Sequence, residues 1–442
     1  MISELKSVIR KYYQIEKAWR SPEKNTDEYL AATCLFEHLS YRHLEPAKRD
    51  PLIGFRVLSM TIRRILKPQH DAVTRFSATS NSLVISGTLV IQERVTEYVR
   101  RSSHSDLHSY IAKDVIPVMT SGKLLLIFSM LGFALRQAFK SIFSSSRLNL
   151  ALTITEVVEI AYILDYIKQN QISLVYDFVP YEIDSNFMYL LLRDAGIHVI
   201  KIPSSGPLST HHRIMLSDEI VFSTPYHSEE YQKFRDTFRV QNYILWPPER
   251  AFQYFPKYKT NRPAAAPHTL GFYSHGEWLR REEKHSAYGD RIREAEETIL
   301  KYLGVFVKSN PEYKLLIFPH PREMRIDIST QMNAFYRDII AHDDFEIIAT
   351  SGGAALSFDK ADIAIVAFST VLYERLFCGY KTFIGNMAIT EFPMNRNALN
   401  NISFHTYEGM SKLISTYSDK DEAYFFEKTG LEPYRAAHYP EP

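Results

Sequence analysis

The sequence predicts an α/β protein of two Rossmann-like domains that follow an N-terminal helical segment. Segments with helical periodicity alternate with short apolar β-rich segments, which is the pattern of a parallel sheet covered by helices. A chain of 442 residues is also too long for one hydrophobic core. Between the two halves lies PKYKTNRPAAAP, a stretch without periodicity that is typical of an interdomain linker.

The composition is that of a folded protein without a global electrostatic preference. Hydrophobic residues make up 45% and charged residues 23% of the chain, and the formal net charge is +1. We therefore predict no nucleic-acid partner. The two cysteines, Cys34 and Cys378, fall in different predicted domains and lack companions at metal-ligand or redox spacing, which favours a reducing, cytoplasmic compartment.

The first predicted domain covers residues 1–255, including the helical segment. Apolar residues recur at three- and four-residue spacing from Met1 to about Lys67, and the run SLVISGTLVIQERV around Gly87 is expected to open the first sheet. The N-terminus lacks the order of charged, apolar and small residues of a secretory signal, so no export is predicted. Further helices and strands then alternate in this order: EVVEIAYILDYIKQN, ISLVYDFV, NFMYLLLRDAG, IHVIKIPS, LSDEIVFST, PYHSEEYQKFRDTF and NYILWPP.

The linker is predicted at 256–267, the second domain at 268–415, and a tail that crosses back to the first domain at 416–442. The second domain begins a new alternation: HTLGFYS, a long charged helix from about Arg281 to Ser309, KLLIFPHP, a helix near 327–341, FEIIAT, DIAIVAF, VLYERLFCG and KTFIGN. This order predicts a second parallel sheet.

The most apolar run, Leu124 to Leu135, is shorter than the ~20 residues of a membrane-spanning helix, so we predict that it does not span. Lys123, Arg136 and Lys140 accompany this run, and residues 124–143 therefore fit peripheral contact with an anionic membrane surface. A buried core helix is the more frequent explanation for a run of this length.

Two polar segments follow apolar strands of the second domain, at the place where open parallel sheets bind ligands. PHPRE (Pro319–Glu323) follows KLLIF, and FSTVLYE (Phe368–Glu374) follows DIAIVA. Ser369 and Thr370 begin the helix of the second segment, where unbonded backbone N–H groups and the helix dipole favour an anion. These residues predict a phosphate site; the alternative is that Ser369 or Thr370 only caps the helix.

Histidines and a glycine at two strand ends extend this site. His320 can donate a ring N–H to a phosphate oxygen, and Arg322 can supply a second charged donor. In GFYSHGEW, Ser274, His275 and Gly276 follow the first strand of the domain, where glycine permits close approach of the backbone to a ligand. A polar turn that binds nothing is the alternative.

The two motifs together resemble a known group of enzymes. PHPRE followed by ADIAIVAFSTVLYERLFCGYKTFIGN is similar to the C-terminal domain of bacterial GT-B glycosyltransferases with an HP motif and a Ser/Thr phosphate motif, which include sialyltransferases, capsular Kdo transferases and polymerases of glycerol phosphate. The resemblance covers roughly the last third of the chain. It implies two domains facing across a cleft, a CMP- or CDP-linked donor in the second, and the donor ligands His320, Pro321, Ser369 and Thr370.

Two further roles are implied by the resemblance. Glu374 would bind the ribose hydroxyls of the nucleotide; the alternative is a solvated helix residue that faces Arg375 or Lys381. The acceptor would lie against the first domain, where VYDFVPYEIDSN supplies three carboxylates: Asp177, Glu182 and Asp184. Glu182 or Asp184 is the candidate base that deprotonates the acceptor hydroxyl, although Asp184 also suits a helix cap.

These features predict an inverting glycosyltransferase that needs neither a metal ion nor a cofactor. The favoured donor is an acid sugar, such as Kdo or a relative of sialic acid, on CMP. The acceptor is a glycan or glycolipid of a bacterial surface polysaccharide, capsule or lipopolysaccharide, and the enzyme is cytoplasmic or peripheral at the inner face of the membrane. The alternatives are a CDP-polyol phosphate transferase and a catalytically silent assembly or binding protein of the same fold.

Overall fold

The computed structural model forms two compact units. The first comprises Met1–Phe222 and His227–Ile244, and the second comprises Ser223–Tyr226 and Leu245–Glu441. The structure describes the following residues: 1–37, 50–66, 73–75, 81–86, 92–103, 109–112, 123–144, 147–179, 184–203, 214–224, 236–251, 268–281, 287–325, 328–341, 345–349, 354–367, 369–387 and 398–439.

The first unit contains a largely parallel sheet in the strand order β1-β3-β2-β4-β5-β6-β7. The pairs from β3 through β6 are parallel, and β1 is antiparallel to β3. Its elements are α1 (Ile2–Trp19), α2 (Asp27–Glu37), α3 (Ile53–Leu66), β1 (Val73–Arg75), β2 (Ser82–Ser86), α4 (Gln92–Ser103), β3 (Ser109–Ala112), α5 (Lys123–Phe143), α6 (Arg147–Gln169), β4 (Leu174–Asp177), α7 (Ser185–Asp194), β5 (His198–Lys201), β6 (Met215–Phe222) and β7 (Phe238–Leu245).

The predicted helical segment is confirmed as α1, α2 and α3. In α1 the residues Leu5, Val8, Tyr12 and Ile15 follow one another at three- and four-residue intervals and are fully buried, because this spacing places them on one face of the helix. They join one continuous core with α5, α6 and α7 and with the inward residues of β2 and β4. The N-terminal helical segment is therefore an integral part of the first unit.

The β-rich run around Gly87 is only partly a strand. β2 ends at Ser86, and the last part of the run, QERV, is helical because α4 begins at Gln92. Val95, Tyr98 and Val99 are buried at the i, i+3 and i+4 positions of a helix, and this period overrides the β-propensity of the preceding valines. Gly87 itself lies outside the described residues, as does the predicted helix PYHSEEYQKFRDTF apart from its last three residues, the last of which, Phe238, begins β7.

The apolar run Leu124–Leu135 is part of α5, which has 21 residues. Among the described residues, α5 is the one helix long and apolar enough to cross a membrane, with 39% of its most apolar window buried. The shortness of the run therefore does not exclude a span. One face of α5 packs in the core through Leu126, Met130 and Ala134, which matches the alternative of a core helix on that face.

The second unit contains a parallel sheet in the order β10-β9-β8-β11-β12-β13. Its elements are β8 (His268–Tyr273), α8 (Ala287–Ser309), β9 (Tyr313–Phe318), α9 (Ser329–Ile340), β10 (Phe345–Ile347), β11 (Ile363–Val366), α10 (Val371–Phe377), β12 (Lys381–Gly385), β13 (Ser403–Phe404), α11 (Tyr407–Tyr417) and α12 (Glu422–Thr429). The predicted fold class, two Rossmann-like α/β units with an N-terminal helical segment, is confirmed.

The described part of the tail packs on the second sheet. The ammonium of the buried Lys381 on β12 donates to the carbonyls of Tyr417 (2.9 Å) and Lys420 (2.7 Å), just beyond the end of α11. Burial lowers the pKa of Lys381, and these carbonyl partners compensate for lost hydration. The linker 256–267 lies outside the described residues. The domain boundaries and the return of the tail to the first domain stay predictions.

Candidate functional site

The second sheet has a topological switch point at β8. From this strand the chain proceeds to β9 and β10 on one side, and then to β11, β12 and β13 on the other. The Cα atoms of Phe318, Tyr273 and Val366 are paired across β9, β8 and β11, so these three strands end side by side. Open α/β sheets bind ligands beyond the carboxyl ends of the strands at such a point.

The predicted donor residues all follow these three strands. Ser274, His275 and Gly276 follow β8; His320, Pro321 and Arg322 follow β9; and Ser369, Thr370 and Glu374 follow β11. Because β8 lies between the other two strands, its loop separates His320 from Ser369 and Thr370. At about 4.8 Å between neighbouring strands, the two motifs are roughly 10 Å apart at the sheet edge. The predicted phosphate site therefore consists of three loops, with the β8 loop between the two motifs.

Gly276 brings the β8 loop against the β9 loop. Its φ is +72°, a conformation that favours glycine, and a Cβ atom here would lie 3.1 Å from the Cβ of His320. The hydroxyl of Ser274 accepts a hydrogen bond from the Gly276 N–H at 3.0 Å, which fixes the turn. The rings of His275 and His320 are stacked with centroids 6.1 Å apart. The two histidines therefore form a pair at the sheet edge.

The β9 loop orients the ring of His320. The Nδ1 atom accepts a hydrogen bond from the backbone N–H of Arg322 at 3.2 Å, so the neutral imidazole carries its proton on Nε2. A proton on Nε2 makes that atom a donor toward an anion. Pro321 and Arg322 are exposed, so the guanidinium of Arg322 can reach a solvent-borne ligand.

Glu323 holds the β9 loop in place, and the sequence alone assigned it no role. Its side chain is fully buried and accepts from the backbone N–H of His320 (2.5 Å), the indole of Trp278 (2.5 Å) and the hydroxyl of Tyr336 (2.6 Å). Desolvation and this carboxylate raise the pKa of Tyr336 well above its usual value. The sequence did contain a signal for this role: a carboxylate three residues after His320 in a short turn can accept a hydrogen bond from the backbone N–H of His320.

A second buried carboxylate supports the β8 loop. Glu296, on α8, accepts a hydrogen bond from the backbone N–H of His275, and Glu277 lies 3.0 Å from His275 Nδ1. Burial, the largest effect, and the nearby Glu323 raise the pKa of Glu296 while His275 lowers it, and the net pKa is about 7. Periodicity places Glu296 on a charged helix and does not distinguish it from its exposed neighbours; only packing buries it.

The raised pKa of Glu296 predicts a pH dependence of stability. The folded chain binds this proton more tightly than the unfolded chain, whose carboxyl has the ordinary pKa of 4.5. The stabilising contribution is therefore complete below about pH 4.5 and is lost as the pH rises through 7. We expect the free energy of unfolding to fall by on the order of 2–3 kcal/mol from this group between pH 5 and pH 8.

Thermal melting of Glu296→Gln at pH 5 and pH 8 measures this effect. The variant cannot ionise at this position, so its melting temperature is expected to decline less over this interval than that of the wild type. Glu294→Gln is the matched control, because Glu294 is an exposed residue of the same helix. Equal declines in the wild type and in Glu296→Gln would contradict the assignment.

The β11 loop combines a helix cap with the predicted anion site. The Ser369 hydroxyl accepts from the backbone N–H of Val371 at 3.2 Å, whereas the Thr370 hydroxyl donates to Glu374 Oε1 at 2.8 Å. Ser369 thus accepts from the first residue of α10, whereas Thr370, the N-cap residue, makes no capping bond with its side chain, so the choice between a cap and a phosphate site stays open. Glu374 is only 3% exposed, which excludes the alternative of a solvated helix residue.

Arg375 anchors α10 to the sheet and was not predicted from the sequence as a functional residue. Its fully buried guanidinium donates to the carbonyls of Phe358 (2.8 Å) and Ala361 (3.0 Å) and to the hydroxyl of Thr382 (3.2 Å). The same group lies 4.9 Å from the ring centroid of Tyr380, within cation–π range. Arg375 therefore fixes the helix whose first turn follows Ser369 and Thr370.

The predicted carboxylates of the first unit are placed differently from one another. Asp177, at the end of β4, is fully buried and accepts from the backbone N–H of Val179 (2.9 Å) and the hydroxyl of Ser185 (2.8 Å). Asp184 is also fully buried, at the N-cap position of α7, where its side chain makes no capping bond. These positions favour structural roles for both. Glu182 lies outside the described residues.

Among the described residues, no group of three or more His, Cys, Asp or Glu side chains could hold a metal ion. Asp419 and Asp421, two acidic residues separated by one position near the C-terminus as in a metal-binding DxD motif, have other contacts. Asp421 caps α12 by accepting from the backbone N–H of Tyr424 at 2.8 Å, and Asp419 lies 3.0 Å from His268 Nε2. Metal independence stays a prediction.

Comparisons with known proteins give similarities of structure only. No protein-family model and no curated protein sequence matches the chain. The S. aureus MnaA–UDP co-structure is 10% identical, with a TM-score of 0.45 over 80% of this chain and 92% of that one. UDP-GlcNAc 2-epimerase from Neisseria meningitidis bound to UDP-GlcNAc is 13% identical, with a TM-score of 0.44 over 80% and 96%. A glycosyltransferase from Rickettsia africae ESF-5 is 10% identical, with a TM-score of 0.45 over 81% and 95%. Similarity at this level carries no argument about function.

Proposed function

We propose that the chain is a GT-B glycosyltransferase whose second unit binds the phosphate of a nucleotide-activated donor. The observation that carries the proposal is the meeting of three polar loops at one topological switch point. His320, which carries its proton on Nε2, lies on one side of the Ser274–Gly276 loop, and Ser369 and Thr370 lie on the other side. Backbone N–H groups, hydroxyls and an imidazole are the donors that stabilise phosphate charge in proteins.

The chemistry assigned to this site is direct displacement with inversion. The acceptor hydroxyl oxygen attacks the anomeric carbon, the bond from that carbon to the phosphate oxygen breaks, and the phosphate leaves with the electron pair. His320, Ser369 and Arg322 would stabilise the charge on the leaving phosphate, and Thr370 would do so once its hydroxyl turns from Glu374 to the phosphate, which makes catalysis largely electrostatic. Glu374, which receives the Thr370 hydroxyl, is assigned to the ribose hydroxyls of the donor.

The proton of the acceptor hydroxyl goes to a carboxylate base. Among the three candidates of the first unit, Glu182 is favoured, because Asp177 and Asp184 are fully buried. A buried carboxylate with two internal donors, as in Asp177, is held for structure and has no exposed surface from which to contact an acceptor hydroxyl. No metal ion or cofactor takes part in this scheme.

The donor assignment rests on the resemblance of the HP and Ser/Thr motifs. A CMP-linked acid sugar, such as Kdo or a relative of sialic acid, is the favoured donor, and a glycan or glycolipid of a bacterial capsule or lipopolysaccharide is the acceptor. A CDP-polyol phosphate transferase would use the same loops to bind a pyrophosphate. A catalytically silent protein of this fold is the third candidate. Two free cysteines, Cys34 and Cys378, fit a cytoplasmic location.

A thermal-shift screen with CMP, CDP, UDP and GDP tests the donor site. A nucleotide at a hundred times its dissociation constant stabilises the native state by about 2.7 kcal/mol, which corresponds to roughly 5–10 °C in the melting temperature of a domain of this size. We expect CMP or CDP to give the largest shift. The matched nucleosides cytidine, uridine and guanosine lack the phosphate and are expected to give none.

The outcomes of the screen separate the candidates. A shift by CMP favours the acid-sugar transferase, and a shift confined to CDP favours the polyol phosphate transferase. Equal shifts by a nucleotide and its nucleoside would place the contacts on the base and sugar, against a phosphate site. If none of the four nucleotides raised the melting temperature, the donor site would be rejected.

A further inference from the structure

The first unit carries an exposed apolar surface that the proposed function does not use. It consists of large hydrophobic side chains on α3, on the turn before it and on α5, each between 48% and 87% exposed. We call it the α3–α5 surface, and its members are Leu52, Met60, Leu66, Leu124, Leu125, Phe128, Phe139 and Phe143. Isolated exposed apolar residues are normal on a protein, but seven on two adjacent helices and an eighth on the turn before one of them form a patch that calls for a partner.

The two helices lie side by side and antiparallel. Near the start of α3, a Cβ atom on Gly54 would lie 2.6 Å from the Cα of Ala138, close to the end of α5. At the other end, the ammonium of Lys123 donates to the carbonyl of Leu66 at 3.4 Å. The rings of Phe55 and Phe139 also make an edge-to-face contact at 5.2 Å. The two helices therefore run alongside each other from end to end, and the exposed Phe139 of α5 contacts α3.

The opposite face of α5 is fixed in the protein. Met130, Ala134 and Ala138 are buried in the core, and Gln137, which is also fully buried, accepts a hydrogen bond from Tyr12 at 3.1 Å. To cross a bilayer, α5 would have to leave these contacts and take Gln137 into hydrocarbon, which is unfavourable. A helix with one packed face and one exposed apolar face is suited to lie in a membrane interface instead.

The charges around the patch have one predominant sign. α3 and α5 contain six basic residues and no Asp or Glu: Arg56, Arg63, Arg64, Lys123, Arg136 and Lys140. The carboxylates that pair with some of them belong to other segments: Glu16 with Arg136 and Lys140, Asp50 with Arg56, and Glu159 with Arg64. Three carboxylates against six cations leave an excess of positive charge, in a chain whose formal net charge is only +1.

We propose that the α3–α5 surface docks on an anionic lipid bilayer. The exposed Leu, Met and Phe side chains would enter the boundary between headgroups and acyl chains, and the lysines and arginines would meet the lipid phosphates. Charge complementarity selects this partner over a second copy of the chain, because a self-contact would bring two basic surfaces together. The proposal does not depend on the nucleotide site, since all its residues belong to the first unit.

Co-sedimentation of the full chain with lipid vesicles tests the proposal. Vesicles of phosphatidylglycerol mixed with phosphatidylcholine are compared with vesicles of phosphatidylcholine alone, at low and at high salt. We expect binding to the anionic vesicles that is at least about tenfold tighter than to the neutral ones and that weakens with salt, because screening reduces the attraction. Equal binding to both vesicle types would overturn the electrostatic part and with it the proposal.

The double variant Phe128→Ser/Phe143→Ser removes the two most exposed aromatic side chains of the surface, 69% and 87% exposed. We expect its affinity for anionic vesicles to fall by about tenfold or more, since the apolar area that enters the interface is lost. Val305→Ser is the matched control, because Val305 is 53% exposed on α8 of the second unit. Circular dichroism checks that both proteins are folded.

Two further results would overturn the proposal. One is a double variant that binds vesicles as tightly as the wild type. The other is a wild type that fails to bind anionic vesicles; if it also forms a dimer by light scattering, with the double variant monomeric, a second copy is the occupant. A wild type that binds anionic vesicles, with a weakened double variant and an unchanged Val305→Ser control, supports the bilayer.

Discussion

His320→Ala is expected to weaken binding of the nucleotide phosphate by about tenfold to a hundredfold and to reduce turnover at least as much. A hydrogen bond to a charged group is worth about 1.5–3 kcal/mol, and the loss in turnover grows when the bond strengthens as the phosphate departs. The fold is expected to survive, because His320 is a half-buried loop residue and its backbone N–H retains the bond to Glu323. Calorimetric titration measures the affinity, with the nucleotide that gives the largest thermal shift.

Two further variants make this result specific. His405→Ala is the matched control, since His405 is an exposed histidine of the same unit, and it is expected to leave affinity and turnover unchanged. Glu182→Gln is expected to keep the nucleotide affinity and to lose turnover, because a base acts on the acceptor and not on the donor phosphate. Turnover in His320→Ala equal to that of the wild type would place the active site elsewhere, and wild-type turnover in Glu182→Gln would remove Glu182 as the base. A wild type that binds nucleotide without any turnover would favour the silent protein.

Arg375→Ala is expected to destabilise the second unit by about 4 kcal/mol or more, the largest effect on stability that we predict for a single residue. The substitution leaves the buried carbonyls of Phe358 and Ala361 without their donor and opens a cavity among aromatic rings. The melting temperature of the unit is expected to fall by roughly 10 °C. Arg375→Lys keeps the charge but offers three donors in place of five, so an intermediate loss is expected.

Arg435→Ala is the control for Arg375→Ala. Arg435 lies 5.2 Å from the ring of Phe426 and pairs with Glu432 at 3.1 Å, but it is partly exposed, so its loss is expected to remove no more than about 1 kcal/mol. If the Arg375→Lys variant remains folded, it should also bind nucleotide more weakly than the wild type, because Arg375 fixes the helix that follows Ser369 and Thr370. Equal melting temperatures for Arg375→Ala and Arg435→Ala would contradict the role assigned to Arg375.

Most strands and helices could be predicted from the sequence, because their periodicity is contained within a few neighbouring residues. HTLGFY, KLLIF and DIAIV are short apolar runs bounded by polar residues, and each forms a buried strand of the second sheet. The predicted end of one helix at Gly196 also holds, since Gly196 has a φ of +74° just after α7. The boundary at Gln92 was missed because the β-branched residues before it resemble a strand.

The sequence could predict which residues of the candidate site follow strands, but not how those residues are arranged in space. Residues that follow strands are visible in the sequence, and this rule selected His320, Ser274 and Ser369. The order of the strands is not encoded locally, so the sequence could not show that the loop of β8 lies between the other two loops. Glu323 was missed for a related reason: its importance comes from Trp278 and Tyr336, which are distant from it along the chain.

The sequence by itself determined the α/β class, the two-unit organisation and the residue types available for phosphate binding, because periodicity and strand-end chemistry are local properties. The tertiary structure alone decided which of these residues meet, which carboxylates are buried and which apolar side chains stay exposed. Burial gives Glu296 its raised pKa, and the packing of α5 on one face leaves Phe128 and Phe143 outside. Both depend on contacts between segments far apart in the chain, and no local pattern records such contacts.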